Sequence, residues 1–574
     1  MRKLLDKEIT FGIKIINRKE NAKQMKIVII GGVAAGASAA TKARRTNEHA
    51  QIVLLEQGEY VSFANCGLPY YVGGTIPKRD SLLVVREELF RKRYNIDVRT
   101  LSQAIKINRS KKTVTVLDKR NNTTYEESYD KLIIATGARP FVLPFLKDCK
   151  NSYTCFTLYD VDGIKETFST TPIRKAVIIG AGYIGMELAE QLNLLGLDCT
   201  IVELKSSILP QFDKEMTNPV VYTLKEKGIN IKTGVSVVDA DVSDGVAKKL
   251  KLSNGEEVEC DIVFQTAGVI PNVELAREAG LEVNRGIVVN SKMQTSDPDI
   301  YAAGDAVEVK SIITGKNVWI PLAGPANKQG RVAGCNAAGG NLEFKGVIGS
   351  SIIKVFDWAL AKVGLSEAEC KDQGLDYNVT IVHPLHHAGY YPGGKQLTIK
   401  LIFDNSNGKI YGAQVIGKEG VDKRADVIAT AIYAGLTVFD LENLDLVYAP
   451  PFSSAKDPVI MAGMTASNII RGEVKNVLPD KVFEFLENPE YLILDVRTPE
   501  EYEFGHIKGA INIPVDDLRS RLNELPKDKK IIVYCGVGFR SYHGCLILKG
   551  SGFECLNMSG GWTSWKMYYP DMVE

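Results

Sequence analysis

Two glycine turns, each set between a short apolar strand and a small-residue helix, constrain this 574-residue chain more than any other feature. The second turn is complete. Residues 176–179 read as a buried strand and lead into Gly180-Ala181-Gly182-Tyr183-Ile184-Gly185. A helix carrying Glu187 and Glu190 follows, then a strand over 200–202 that ends on Glu203. This order is that of a dinucleotide-binding unit. The glycines let backbone approach a pyrophosphate on the helix N-terminus, where amides and dipole favour an anion, and the terminal acid accepts from a ribose diol. The first turn repeats the order: strand 26–30, Gly31-Gly32-Val33-Ala34-Ala35-Gly36, an alanine-rich helix predicted over 37–45, a strand over 52–55 and Glu56. Its one departure is Val33 in place of the middle glycine. Glu203 favours a free 2′-hydroxyl, hence NADH over NADPH, while Lys205 leaves room for a 2′-phosphate.

The length predicts three or four domains, and a net charge of +1 gives no pull toward nucleic acid or membrane. Ten cysteines are spread without a CxxC or CxxxxC pair. That spacing argues against a disulfide framework, a zinc site and a dithiol motif, so no metal is expected and a reducing cytoplasm fits best. No apolar run reaches the roughly 18 residues of a membrane helix. Residues 1–24 are basic without an apolar core, which reads as an extension rather than a secretory signal.

Two dinucleotide units about 150 residues apart resemble the FAD- and NAD(P)-dependent disulfide reductase family. Ile134-Ala135-Thr136-Gly137-Ala138-Arg139-Pro140 is similar to the segment that returns the chain to the FAD domain. Ile300-Tyr301-Ala302-Ala303-Gly304-Asp305 is similar to the second flavin-contacting segment. The resemblance implies an α/β fold with two Rossmann-like domains and an α+β dimerisation domain. It assigns the cofactors to Gly31, Gly36, Glu56, Ala135, Thr136, Gly137, Gly304 and Asp305 for FAD, with Asp305 on the ribitol. Gly180, Gly182, Gly185, Glu203 and Gly268 are assigned to cofactor binding in the same way.

Six residues beyond Glu56 begins Ser62-Phe63-Ala64-Asn65-Cys66-Gly67-Leu68-Pro69. Cys66 reads as a redox nucleophile. The residue five positions on is Tyr71, so no resolving cysteine stands where the dithiol branch has one. The second sulfur must then be a sulfenate, a persulfide or a mixed disulfide with a small thiol. The Ser-Phe-x-x-Cys pattern resembles the coenzyme A-disulfide reductase branch. Ala34 stands where single-cysteine NADH oxidases and peroxidases carry histidine. By the same resemblance Tyr390, in His387-Ala388-Gly389-Tyr390-Tyr391-Pro392-Gly393, and Tyr448, in Tyr448-Ala449-Pro450-Pro451, reach the cysteine of a partner subunit and donate to the departing thiolate. Coenzyme A contacts fall on Ser38, Lys42, Arg45, Ser62, Asn65, Asn327 and Lys456. Lys42 and Arg45, at i and i+3, share a helix face.

Residues 352–357, 397–403 and 412–416 read as antiparallel strands and 422–433 as a helix, similar to the family's dimerisation domain, which implies a homodimer with shared active sites. Residues 472–476 read as a linker. The last hundred residues resemble a rhodanese domain: a strand over 492–497, a strand over 530–534, then Cys535-Gly536-Val537-Gly538-Phe539-Arg540, with Ser541 opening a helix. A sulfur at a helix N-terminus is stabilised as thiolate or persulfide, and Arg540 adds charge. The expected domains are 25–135 with 295–345 for FAD, 136–294 for NAD(P)H, 346–471 for dimerisation and 477–574 for rhodanese. The reaction expected is NAD(P)H-dependent reduction of CoA disulfide, CoA persulfide or polysulfide through FAD and Cys66, with Cys535 as sulfur carrier. An NADH oxidase or peroxidase, a sulfurtransferase and a sulfane-sulfur sensor remain open alternatives.

Overall fold

The computed structural model describes residues 24–572. The expected N-terminal extension at 1–24 lies, but for Gln24, outside the described residues. Among these no helix is long and apolar enough to cross a membrane. The chain forms two compact units. One holds the described residues through Asn65 with Lys78–Arg139 and Val269–Val347; the other holds Cys66–Pro77, Pro140–Gly268 and the chain from Ile348 onward.

The first unit is built on a five-stranded parallel sheet in the order Ile300–Ala302, Lys131–Ile134, Lys26–Ile30, Gln51–Leu55, Asp97–Arg99. The inner strands are continuous Ile, Val and Leu runs because a parallel sheet is covered on both faces. The helix Ala34–Thr46 packs on the helix Ala323–Ala337 at alanine and glycine positions. A Cβ on Gly330 would meet the Ala35 carbonyl oxygen at 2.1 Å, and one on Gly334 that of Ala39 at 2.2 Å. The first helix starts at Ala34, inside the glycine turn, rather than at residue 37 as the sequence predicts. Alanine suits the first turn as well as the interior, so composition hides the boundary.

The second unit carries three five-stranded sheets. One is parallel, in the order Asn230–Thr233, Asp198–Glu203, Lys175–Ile179, Ile262–Gln265, Ser152–Tyr153. One is antiparallel, in the order Ser351–Val355, Trp358–Gly364, Ile410–Gly417, Leu397–Asp404, Tyr377–Val382, with the helix Val421–Ala434 packed on it. The third is parallel, in the order Asn476–Val477, Cys555–Met558, Lys530–Tyr534, Tyr491–Asp495, Ile511–Asn512. The expected linker over 472–476 is tied down: Lys549 Nζ donates to the carbonyls of Gly472 at 2.9 Å and Glu473 at 3.2 Å, and Asn476 pairs in the sheet. Polar composition reads as a linker when its partners lie 76 and 77 residues away.

Buried polar contacts join these sheets. Lys400 Nζ is enclosed by Asp213 at 2.9 Å, Glu215 at 2.5 Å and Glu367 at 2.6 Å, and Tyr568 of the last helix donates to Glu215 at 3.2 Å. The three carboxylates have the spacing of a metal site, but the ammonium stands among them. Asn218 Nδ2 donates to the Met567 carbonyl at 2.7 Å, and Ile381 N–H to Ser559 Oγ at 2.8 Å.

Candidate functional site

In the first unit, Gly31 (φ +99°) approaches Ala135 so closely that a Cβ would lie 2.1 Å from its carbonyl oxygen. A Cβ on Gly36 would lie 1.8 Å from the Gly31 carbonyl oxygen. These two glycines are therefore fixed by the chain's own backbone. The middle position is not: a Cβ on Gly182, its counterpart in the second turn, would meet nothing within 4 Å. Val33 adopts φ −92° and caps the helix, which is why a valine is accommodated. Glu56 is buried and accepts from the Gly32 and Gly58 amides, both at 2.7 Å; burial pushes its carboxyl up. Ala135 N–H donates to the Ile30 carbonyl at 2.8 Å, Thr136 Oγ1 to the Asn272 carbonyl at 2.7 Å, and Gly137 takes φ +64°. Gly304, at φ +84°, donates to Gln329 Oε1 at 2.8 Å, where a Cβ would strike Ala35.

Asp305 follows. Its carbonyl accepts from Trp319 Nε1 at 2.7 Å, but its carboxylate has no partner among the described residues, and burial pushes it up to about 6. An orphaned, half-buried carboxylate next to the left-handed Gly304 fits a polyhydroxylated ligand that donates to it. The cradle and this acid together fit FAD, whose phosphates the Gly31–Gly36 turn and whose ribitol Asp305 would hold.

The same unit brings Ser38 and Asn327 together, the serine hydroxyl donating to Asn327 Oδ1 at 2.6 Å. Lys42 is half-buried, while Arg45 is exposed and donates back to the Thr41 carbonyl at 3.1 Å. Ser62 takes φ +50°, a left-handed conformation that costs a non-glycine residue of order 1 kcal/mol. Its N–H bonds the Gly32 carbonyl at 2.9 Å and its carbonyl accepts from Val84 at 2.9 Å, so the strained residue is pinned to the glycine turn. Asn65 opens the short 3-10 turn Asn65–Gly67.

In the second unit, Cys66 is the exposed cysteine; the other nine are buried or half-buried. The helix Leu68–Gly73 packs on the helix Tyr183–Leu194, which the second glycine turn opens. A Cβ on Gly73 would lie 2.3 Å from Gln191 Oε1, and Thr75 donates to that same oxygen at 2.7 Å. Tyr70 Oη donates to Glu187 at 3.1 Å. Burial pushes Glu187 up to about 7, and burial with the Glu187 carboxylate raises the Tyr70 phenol. Sequence reading placed Glu187 on its helix but gave it no role. The tyrosine four residues past Cys66 was the available signal.

The second turn repeats the first. Gly180 (φ +101°) sits on Thr266, and a Cβ on Gly185 would lie 2.0 Å from the Gly180 carbonyl oxygen. Glu203 accepts from Ala181 N–H at 2.7 Å and Lys205 N–H at 2.8 Å. Gly268 takes φ +106°, and its carbonyl accepts from Phe141 N–H at 2.9 Å. These residues fit a second dinucleotide. Tyr390 and Tyr448 meet, Oη to Oη, at 2.7 Å, with 75% and 47% of their surfaces exposed. That bond raises the Tyr390 phenol. Buried Arg424 holds both loops, donating to the His386 carbonyl at 2.7 Å and to Asp457 at 2.9 Å. Lys456 is exposed.

Cys535 is 1% exposed. Its Sγ accepts from Gly538 N–H at 3.2 Å and Ser541 Oγ at 3.5 Å. The helix starts at Phe539, not Ser541, because Gly538 (φ +95°) ends the turn. Arg540 therefore sits in the first helical turn. Its guanidinium is held by Glu501 through bonds of 2.6 and 2.7 Å, which push that carboxyl down to about 2, and it also interacts with the Cys535 sulfur.

The pyridine nucleotide-disulphide oxidoreductase family matches residues 25–330, its dimerisation domain residues 350–459, and the rhodanese-like domain residues 478–568. The reduced CoADR-RHD of Bacillus anthracis is 44% identical with a TM-score of 0.93, over 96% of this chain and 99% of that one. An NAD-dependent persulfide reductase from A. fulgidus is 41% identical with a TM-score of 0.87, over 94% of this chain and 100% of that one. A coenzyme A disulfide reductase of Staphylococcus aureus is 35% identical over 444 residues, 77% of this chain and 99% of its own length. The chain belongs to the pyridine nucleotide-disulphide oxidoreductase family, as an FAD- and NAD(P)H-dependent oxidoreductase of sulfur compounds that carries a rhodanese-like domain.

Proposed function

We propose that this enzyme reduces the sulfur–sulfur bond of CoA disulfide or CoA persulfide through the single thiol of Cys66, and that Cys535 supplies sulfane sulfur to the same pool. The observation that carries the reading is the exposure of Cys66, alone among ten cysteines, in a Ser-Phe-x-x-Cys segment without a neighbouring thiol. The names of the Bacillus, Staphylococcus and A. fulgidus proteins point to the same chemistry.

The Cys66 thiolate attacks one sulfur of the substrate; a Cys66–CoA disulfide forms and CoA thiolate, or hydrosulfide from a persulfide, departs. When bound, FAD and the pyridine nucleotide supply the electron pair that cleaves this mixed disulfide, returning the Cys66 thiolate and a second CoA thiol. The overall balance is NADH, one proton and CoA disulfide to NAD⁺ and two CoA thiols. In a two-fold homodimer the Tyr390–Tyr448 pair of the second copy serves the departing sulfur. One phenol spends its proton on the other, and the acceptor keeps its own to donate. Ser38, Asn327, Lys42 and Arg45 bind the nucleotide end of CoA from the first helix and its neighbour, and Ser62, Asn65 and Lys456 complete the proposed contacts. At Cys535, the thiolate takes the sulfane sulfur of a donor such as thiosulfate, releasing sulfite, and passes it to a CoA thiol.

Steady-state NADH oxidation against CoA disulfide, CoA persulfide, polysulfide and peroxide tests the reading. Turnover with a CoA substrate that exceeds peroxide turnover by orders of magnitude is expected; the reverse ranking would return the enzyme to the oxidase and peroxidase class.

A further inference from the structure

The sulfur-carrying loop of the rhodanese-like domain is backed by a turn that belongs to two structures at once. Gly560 and Gly561 are both left-handed, at φ +69° and +58°. A Cβ on Gly561 would lie 2.2 Å from the Cys535 carbonyl oxygen and 3.0 Å from Gly538 N. The Trp562 amide donates to the Cys535 carbonyl at 2.7 Å and the Thr563 amide to the Gly536 carbonyl at 3.0 Å. With those carbonyls drawn backward, the Gly538 amide is left to face Sγ at 3.2 Å. The opposite side of the same turn rests on the antiparallel sheet of the dimerisation domain. A Cβ on Gly560 would lie 2.0 Å from Ser564 Oγ and 2.7 Å from His383 Nε2.

His383 bridges two hydroxyls. Its Nδ1 lies 2.9 Å from Thr398 Oγ1 and its Nε2 lies 2.8 Å from Ser564 Oγ. Thr398 in turn donates to Met567 Sδ at 3.9 Å. With the threonine proton directed to that sulfur, the matching tautomer has Nδ1–H donating to Thr398 and Nε2 accepting from Ser564. Ring and hydroxyls are all buried, and burial pushes the imidazole down to about 3, so it stays the neutral bridge that this tautomer requires.

The geometry points to His383 as a positioning residue for the sulfur loop over 535–538, acting through Ser564 and the 560–563 turn. The dimerisation sheet thereby sets the Gly538 amide that faces the Cys535 sulfur. The inference rests on the reading of Cys535 as a sulfur carrier only for its consequence in turnover; the positioning itself can be measured without it.

The test uses the full-length holoenzyme and the variants His383→Ala, His383→Gln and Ser564→Ala. The pH dependence of Cys535 alkylation by iodoacetamide is followed by peptide mass spectrometry, beside thiosulfate-to-cyanide sulfur transfer. His383→Ala and Ser564→Ala are expected to raise the alkylation midpoint by about one pH unit. Sulfur transfer at neutral pH should fall about tenfold with them, the size of effect that goes with one unpaired buried polar group. His383→Gln, whose amide oxygen can accept from Ser564, should stay close to wild type. A role confined to stability would lower the amount of active protein and leave the midpoint in place, and that outcome, in either His383→Ala or Ser564→Ala, overturns the inference. Should His383→Ala fail to fold, the Ser564→Ala midpoint decides alone. Wild-type protein without sulfur transfer but with the variant-shifted midpoint would keep the inference and overturn the carrier reading.

Discussion

Single side chains do the chemistry, and several of them can be tried singly. The Tyr390–Tyr448 pair shares one hydrogen bond of 2.7 Å, so either phenol can inherit part of the other's task. Each Tyr→Phe variant should lower kcat with CoA disulfide by about tenfold, and the double variant by about a hundredfold or more. Stopped-flow release of CoA thiol would show this as a slower thiol-releasing step. Asp305 offers a different check. Its carboxylate lacks a partner among the described residues, so Asp305→Ala removes no contact that they make. The expected result is a folded protein with an unchanged melting temperature as apoprotein and a lower flavin content, read from the absorbance ratio at visible and ultraviolet wavelengths. Sequence alone pointed to both tyrosines and to Asp305, because each sits in a motif. It gave Glu187 no role, since the tyrosine that bonds it is 117 residues earlier in the chain.

At the scale of elements, the glycine turns explain which substitutions the fold accepts. Gly31 and Gly36 are closed by backbone atoms at 2.1 and 1.8 Å, whereas the middle position is open, and Val33 occupies it at an ordinary φ. The complete motif in the second turn was therefore the stronger signal without being the more constrained one. The helix after Cys66 offers a similar case. Gly73 lies against the Gln191 side chain, so Gly73→Ala should cost about 1–3 kcal/mol. It should also slow Cys66-dependent turnover, because that helix directly follows the 3-10 turn holding the thiol; urea unfolding and NADH oxidation measured together would check both. Strand cores were legible from their apolar runs, but helix starts were not. Ala34 and Phe539 begin helices that composition placed two or three residues later, since the residues that end each turn do so by backbone angle.

The second unit is held together by buried polar contacts that no local pattern announces. Lys400 gathers three carboxylates, two of them more than 150 residues away, and Tyr568 joins from the last helix. Replacing it as Lys400→Met would leave those acids facing one another and should cost about 3–5 kcal/mol, seen in the thermal unfolding of the whole chain. His383 gives the same assembly a pH dependence. Its folded pKa, about 3, lies below the ordinary value of 6.5. The unfolded chain therefore binds the extra proton first. Stability contributed by this site is complete above pH 6.5 and drains as the pH falls toward 3, by up to about 5 kcal/mol. The protection factors of residues 559–568, exchange rates corrected for the intrinsic pH dependence, should fall over that window in wild type and much less in His383→Gln. Domain identities were readable from motifs; the contacts between them were not, because a histidine and its serine 181 residues apart leave no spacing to recognise. The whole account nevertheless turns on one sulfur. The most direct measurement is NADH oxidation with CoA disulfide by Cys66→Ser protein that retains FAD. A fall of about a thousandfold or more, to the background rate, is the result predicted. Turnover within a few-fold of wild type would contradict the assignment of Cys66 as the thiol that attacks the substrate.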